Sequence, residues 1–396
     1  MSNNKDQKYA VLGAGRQGTA AAYDLAKFGN ASSVFISDIH LEAAKNAATR
    51  VNHLLNTDIV QASRMDVTHH DELVEFLTGI NAFISAVPYY YNLEIAKAAI
   101  AAKASMCDLG GNTDLVMEQL KLDPQAKAAN ISIIPDCGQV PGMGTTLCVN
   151  AMSRLDKPEE VYMWDGGLPQ KPQPPFNYLL TFHIDGLINE YYGTTEFLRD
   201  GKIVEVPCFI ELEEIEFPPP VGRLEAFTTA GGTSTAPRTF EGKLKTYQNK
   251  TVRHPGHYIQ LKTMNDLGLF DPEEIQVGDI KVAPRAILAK LFEPKVTFPV
   301  HPEDVVVIRV KCLGEKDGRL AEVQLDLIDF YDESTGFTAM ERTTGWDVSI
   351  VAIMMADGRA KKGAVPLELA ISSTEFVKDL QKRGIHLTER LKFLEE

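Results

Sequence analysis

Gly13-Ala14-Gly15-Arg16-Gln17-Gly18 is the stretch on which the fold turns. An apolar strand, Tyr9 to Leu12, runs into it, and an Ala-rich segment with helical spacing, Thr19 to Phe28, runs out of it. Three glycines at this spacing arise often by chance, but between a strand and a helix they form a dinucleotide-binding fingerprint. Each position has its own physical task. Gly13 permits the tight turn out of the strand, Gly15 lets the backbone approach a pyrophosphate with no Cβ in the way, and Gly18 lets the helix pack on the sheet. The free N–H groups and dipole at the helix start, where Arg16 and Gln17 lie, favour the anion.

Working outward, strands and helices alternate: Val34 to Ser37, Ile59 to Ala62, Asn81 to Val87, Ser105 to Leu109 and Ile131 to Ile134 read as strands, with helices between them. That alternation implies a doubly wound parallel α/β sheet, the Rossmann arrangement. The second strand ends at Asp38, where a carboxylate accepts the adenosine ribose hydroxyls and repels a 2′-phosphate, so NAD is expected over NADP. Capping of the next helix is the other reading of Asp38. Asp66, after the third strand, reaches the adenine or caps its own helix. The dinucleotide crosses the carboxyl ends of such strands, which makes Ala86-Val87-Pro88-Tyr89 and Asp108-Leu109-Gly110-Gly111 candidates for the nicotinamide half. Tight turns alone would also explain those glycines.

Beyond about Val161 the texture changes. Glu160 to Met163 and Tyr178 to Ile184 read as strands between Pro-rich stretches. Val305 to Cys312 and Ala321 to Phe330 read as a hairpin, its turn supplied by Asp317-Gly318. Met340 to Ala356 is a long apolar helix, and Glu375 to Arg383 a last helix ended by Gly384. The domains expected are 1–140 with 340–396 for the dinucleotide lobe and 141–339 for a mixed α/β substrate and oligomerisation lobe.

The block Asp136-Cys137-Gly138-Gln139-Val140-Pro141-Gly142-Met143 resembles the saccharopine dehydrogenase (reductase) family. Gly166-Gly167-Leu168-Pro169, Leu224 to Phe227, Gly231 to Thr235 and Lys250 to His257 look like its lysine 6-dehydrogenase branch. The resemblance implies a Rossmann lobe, a mixed α/β substrate lobe, a C-terminal helix returning to the first lobe, oxidation of a C–N bond with NAD, and a homodimer or larger homo-oligomer. Trp164-Asp165, His183 and Tyr89-Tyr90-Tyr91 depart from the branch, which bears on the substrate more than on the chemistry.

Amine oxidation needs a neutral amine before hydride leaves its carbon, hence a general base near neutrality. His257, after Gly256, is the first candidate and Asp165 the second; a satisfied structural histidine is the plain alternative for His257. A substrate carboxylate calls for a bidentate Arg, Arg253 or Arg238, or for hydroxyls such as those of Thr233, Ser234 and Thr235. Glu225 could hold an ammonium or pair with Arg223, and Tyr89 could stack on the nicotinamide, hydrogen-bond the substrate or simply pack. Cys137 reads as structural. Two other readings stay open: a saccharopine-reductase-type condensation of an amine with an aldehyde acid, and a non-catalytic NAD-binding module.

Composition narrows the partners. The 54 acidic and 40 basic residues leave a net charge of −14, which opposes binding to a phosphate backbone, so no nucleic acid is expected. Five scattered cysteines offer neither a disulfide framework nor a zinc set, and the histidines are dispersed, so no metal is expected. The start of the chain, residues 1–7, is polar and lacks the apolar core of a signal peptide. No run reaches the length that spans a bilayer. The expected setting is cytoplasmic, and the expected partner a small amino acid or amine.

Overall fold

The computed structural model describes residues 7–297 and 303–394; the polar stretch 1–6 lies outside them. The chain divides into two compact units. One takes in residues 1–150, 234–236 and 341–386, the other 151–233, 237–340 and 387–396.

The first unit opens with β1 (Gln7–Leu12), α1 (Arg16–Phe28), β2 (Ala31–Asp38), α2 (Leu41–Leu55), β3 (Val60–Arg64), α3 (His70–Leu77), β4 (Ala82–Ser85), α4 (Asn92–Ala102), β5 (Ser105–Asp108), α5 (Thr113–Leu120), α6 (Asp123–Ala128), β6 (Ser132–Ile134) and α7 (Met143–Met152). The second contributes β7 (Lys157–Pro169), α8 (Ile184–Glu190), β8 (Thr194–Arg199), β9 (Lys202–Pro207), β10 (Glu213–Phe217), β11 (Gly222–Phe227), α9 (Ala236–Phe240), β12 (Thr246–Arg253), α10 (His257–Asp266), β13 (Ile275–Val277), β14 (Ile280–Val282), α11 (Pro284–Val296), β15 (Asp304–Lys316) and β16 (Arg319–Phe330). The chain then forms α12 (Ala339–Ala356), β17 (Gly363–Ala364), α13 (Leu367–Ala370), α14 (Ser373–Lys382) and β18 (Leu387–Phe393).

In the first unit seven parallel strands lie in the order β3-β2-β1-β4-β5-β6-β17. The order reverses between β1 and β4, and a Rossmann sheet opens a crevice at that point. Val11, Leu12, Ile36, Phe83, Ile84 and Ile133 are fully buried, as strands covered on both faces must be. Each such side chain contributes about 1.5–3 kcal/mol by leaving water. After β16 the chain comes back to this unit, as the family resemblance implied. Gly345 of α12 lies so close to α1 that a Cβ there would meet the Ala20 Cβ at 2.7 Å. Arg383, just after α14, donates from Nε and Nη2 to the buried Asp24 of α1 at 2.7–2.9 Å. Ser349 of α12 donates to the same carboxylate. A buried ion pair of this kind is costly to break from one side.

The second unit is a mixed sheet in the order β10-β11-β12-β7-β15-β16-β18, with β8 joined to β12 and β9 to β8. The β15–β16 hairpin turns on Asp317 and Gly318, with φ of 51° and 72°. Two positive φ values match the tight turns that suit a twisted ladder. Two sequence expectations are corrected here. Tyr178 to Leu180 form no strand and Ile184 begins α8; these side chains are buried in the apolar core beside Phe209 and Phe292, and a short buried run has the same periodicity in either state. Residues 387–393, expected in the dinucleotide lobe, form β18 and pair with β16 in the mixed sheet.

Candidate functional site

The loop after β1 is built as a cradle. Gly13 has φ +101°, and a Cβ there would sit 2.5 Å from the Ala86 carbonyl oxygen at the end of β4. A Cβ on Gly18 would overlap the Gly13 carbonyl, so α1 packs against its own loop. Gly15 is different: nothing lies within 4 Å of its Cβ position. It is also the N-cap of α1, with no side chain capping the first-turn N–H groups. Gln17 Oε1 is buried without a donor among the described residues, and Arg16 is exposed. Open space above uncapped helix donors fits a pyrophosphate.

Asp38 ends β2 beside this loop. Its Oδ2 accepts from Ala14 N–H at 2.9 Å and its Oδ1 from His40 N–H at 2.9 Å, so the carboxylate is held at the rim of the cradle and not on the helix behind it. Arg64 stands opposite Asp38 in the β2–β3 register, its Nε donating to the Ile39 carbonyl. Asp66 spends Oδ1 on the N–H and hydroxyl of Thr68; those bonds lower its pKa and make it first of all a turn former.

At the other strand ends, Ala86 N–H donates to Leu12 O at 2.7 Å. Val87 is half-buried and Pro88 exposed before a short 3-10 turn, Tyr89–Tyr91. The Tyr89 ring covers Gly111, whose Cβ would meet it at 3.0 Å. Asp108 is buried: Oδ1 accepts from Gly110 N–H at 2.8 Å and Asp136 N–H at 3.3 Å, and Oδ2 from Gln119 Nε2 at 2.8 Å. Burial raises its pKa against those three bonds. It anchors the turn at Gly110, where φ is +72°.

A carboxylate that sequence reasoning did not single out stands next to it. Asp136, just past β6, has a left-handed backbone (φ 61°) and accepts a short hydrogen bond from Ser234. Thr235 donates to Glu368 at 2.9 and 3.1 Å. The strand-end rule that picked Asp108 applied equally to Pro135-Asp136.

The second unit's candidates fall in several places. His257 is fully buried. Its Nδ1 lies 2.9 Å from the Phe176 carbonyl and its Nε2 2.9 Å from Tyr191 Oη. The carbonyl can only accept, so Nδ1 carries the proton and Nε2 accepts from the tyrosine. Burial, with Arg253 nearby, lowers the imidazole to about 3. An imidazole so engaged offers no free lone pair in this arrangement. Arg253 is turned inward too. It donates to Tyr191 Oη, Val252 O and Glu190 Oε1 at 2.7–3.0 Å, and the Tyr178 and Tyr191 rings lie 5.1 and 5.6 Å from it. All of these contacts lie within the second unit.

Glu225 accepts from Gly256 N–H, while Arg223 pairs with Glu214. Thr233 donates to the Glu196 carbonyl and Arg238 pairs with the Glu196 carboxylate at 2.6 Å on the surface. The hydroxyls of Thr233, Ser234 and Thr235 are thus already given to protein acceptors. Asp165, on β7, is buried and accepts from Asn249 Nδ2 at 2.7 Å. Cys137 is buried, and burial pushes its thiol far up.

Comparison with known proteins follows the same division. Residues 9–134 match the family model described as the saccharopine dehydrogenase NADP binding domain, and residues 138–385 match the saccharopine dehydrogenase C-terminal domain. The saccharopine dehydrogenase [NADP(+), L-glutamate-forming] of Saccharomyces cerevisiae is 22% identical over 424 residues, covering 89% of this chain and 94% of that protein. The alpha-aminoadipic semialdehyde synthase of Arabidopsis thaliana is 24% identical over 255 residues; the match takes 62% of this chain but only 23% of that longer protein. Among solved structures, apo saccharopine dehydrogenase (L-Glu forming) from S. cerevisiae superposes with a TM-score of 0.77 at 18% identity, covering 98% of this chain and all of that one. The homospermidine synthase of Legionella pneumophila, solved with NAD, gives 0.66 at 10% identity, over 98% of this chain and 91% of that one. Two family models that between them run from residue 9 to residue 385 place this chain in the saccharopine dehydrogenase family.

Proposed function

We propose that this protein oxidises an amino group of a small amino acid with NAD, in the manner of a lysine 6-dehydrogenase. The observation that carries the reading is the cradle: Gly15 opens onto the uncapped start of α1, with the Asp38 carboxylate fixed at its rim. A bound nicotinamide dinucleotide would supply the hydride acceptor. The α1 N–H groups and Gln17 would hold its pyrophosphate, and Asp38 its adenosine ribose. Ala86, Val87, Pro88 and Gly110 would border its nicotinamide half. Tyr89 is proposed to border the substrate.

Two observations favour neighbouring readings. The matched domain and the yeast relative both carry NADP in their names, and Arg64 opposite Asp38 is a cation that a 2′-phosphate could use. The yeast relative's name also gives glutamate as product, which supports a secondary amine as substrate and, in reverse, a reductive condensation. A homodimer or larger assembly and a cytoplasmic setting belong to the same proposal. The test is absorbance of NADH or NADPH formed from lysine, other diamines and saccharopine at alkaline pH. NADH from a primary amine supports the reading; NADPH from saccharopine alone would replace it with the second.

A further inference from the structure

Asp136 sits where the parallel sheet delivers its strand ends, one strand beyond Asp108, and its surroundings treat it differently from the other buried acids. Asp108 accepts three hydrogen bonds and Glu368 the Thr235 hydroxyl, so both are held by donors of the protein. Asp347, on α12, has two carboxyl oxygens sealed from solvent with no donor among the described residues, and burial pushes it far up. Asp136 is between these cases. Oδ2 takes the Ser234 hydroxyl; Oδ1 takes no donor among the described residues and is not one of the sealed oxygens. Oδ1 lies directly against the Cβ position of Gly110, so a side chain there would cover it. Three residues on, Gln139 Nε2 is a buried donor with no acceptor among the described residues. A ligand group placed beside Gly110 would meet a free carboxylate oxygen, with an unspent amide in the same loop.

We infer that Asp136 is the group that takes the proton from the substrate ammonium, with Ser234 as its positioning residue. The inference rests on the amine-oxidation reading above. In the step assigned to it, one N–H bond of the ammonium breaks, the proton passes to Oδ1, and the electron pair stays on nitrogen. The carboxylate becomes a neutral carboxyl, and the amine is ready to release hydride. Burial, with repulsion from Asp108 on β5 and Glu368 on α13, pushes Asp136 up to about 7 against the lowering effect of Ser234. A base of that strength suits work near neutral pH. A positive nicotinamide ring bound beside Gly110 would favour the carboxylate, and its loss on reduction would favour the carboxyl, so the basicity of Asp136 would follow the charge of the cofactor.

The test is an infrared difference titration of carboxyl groups in wild type and Asp136→Asn, each with NAD+ and with NADH, beside the pH profile of turnover. Asn keeps the shape and tolerates the left-handed backbone. The expected result is a carboxyl titrating near pH 7 that vanishes in Asp136→Asn and lies lower with NAD+ than with NADH. NADH affinity should hold within about threefold while turnover falls about 10²–10⁴-fold. Ser234→Ala should move the same titration, and the acid limb of the profile, upward; it also decides the matter if Asp136→Asn fails to fold. A titration absent or indifferent to the cofactor, or an acid limb unchanged in Asp136→Asn, overturns the inference. A carboxyl that follows the cofactor charge in an enzyme that turns over no amine leaves Asp136 assigned and removes the substrate reading instead.

Discussion

The Gly13–Gly18 loop and the Arg253–His257 cluster are both rich in groups that bind ligands, yet they are built in opposite ways. In the loop the groups are left unspent: an open Cβ position at Gly15 and uncapped N–H groups on α1. In the cluster Arg253, Glu190, Tyr191 and His257 hydrogen-bond one another in the core of the second unit. Unspent donors point to a ligand; a closed circuit points to a scaffold. Substitutions in the two regions should therefore move different observables.

The largest effect expected is on stability, from Arg253→Met. Removing one partner of a buried charged pair leaves Glu190 uncompensated and should cost about 3–5 kcal/mol, read by urea unfolding. NADH affinity of the folded remainder should not change; a protein of unaltered stability with lost substrate binding would make Arg253 a ligand anchor after all. Gly15→Val should do the reverse. Its backbone lies at φ −74° and its Cβ meets nothing, so the melting temperature should stay within about 2 °C while the Kd for NADH rises about 100-fold, roughly 2.7 kcal/mol. A large loss of stability with binding intact would break the comparison at its other end.

His257 sharpens it through pH. Its imidazole is lowered from 6.5 to about 3 by burial, so between those values the unfolded chain binds a proton that the folded one does not. The resulting stability is fully present above about pH 6.5 and is lost as pH falls toward 3. Wild type should lose about 1.4 kcal/mol per pH unit more than His257→Gln in that window, measured by urea unfolding at pH 4 to 6. Equal slopes would mean that the imidazole is charged in the fold. The smallest effect expected is at Asp38. Asp38→Asn removes the charge that repels a 2′-phosphate and should raise NADPH affinity relative to NADH by about tenfold, roughly 1.4 kcal/mol. An unchanged ratio would shift selection to Arg64.

The same contrast explains what was legible in the sequence. The glycine loop, Asp38 and the Asp317-Gly318 turn are local: backbone sterics at consecutive positions dictate the conformation, so the residues announce it. Helix α1 and the strand alternation were readable for the same reason, whereas the return of α12 to the first unit followed only from the family resemblance. The surroundings of His257 and Arg253 were not legible because their partners, Phe176, Tyr191 and Glu190, lie tens of residues away, and no spacing encodes that meeting. Asp136 was passed over because the Ser234 hydroxyl that distinguishes it from other strand-end acids comes from residue 234. Tyr178 to Leu180 show the limit of periodicity, since burial in a core writes the same apolar run as a strand.

Hydrogen–deuterium exchange of the whole protein with and without NADH tests the central claim most directly. If the loop is the cofactor cradle, peptides covering residues 11–20 and 106–111 slow on adding NADH. Unchanged exchange at 11–20 with NADH bound, or protection confined to residues 249–258, would contradict it.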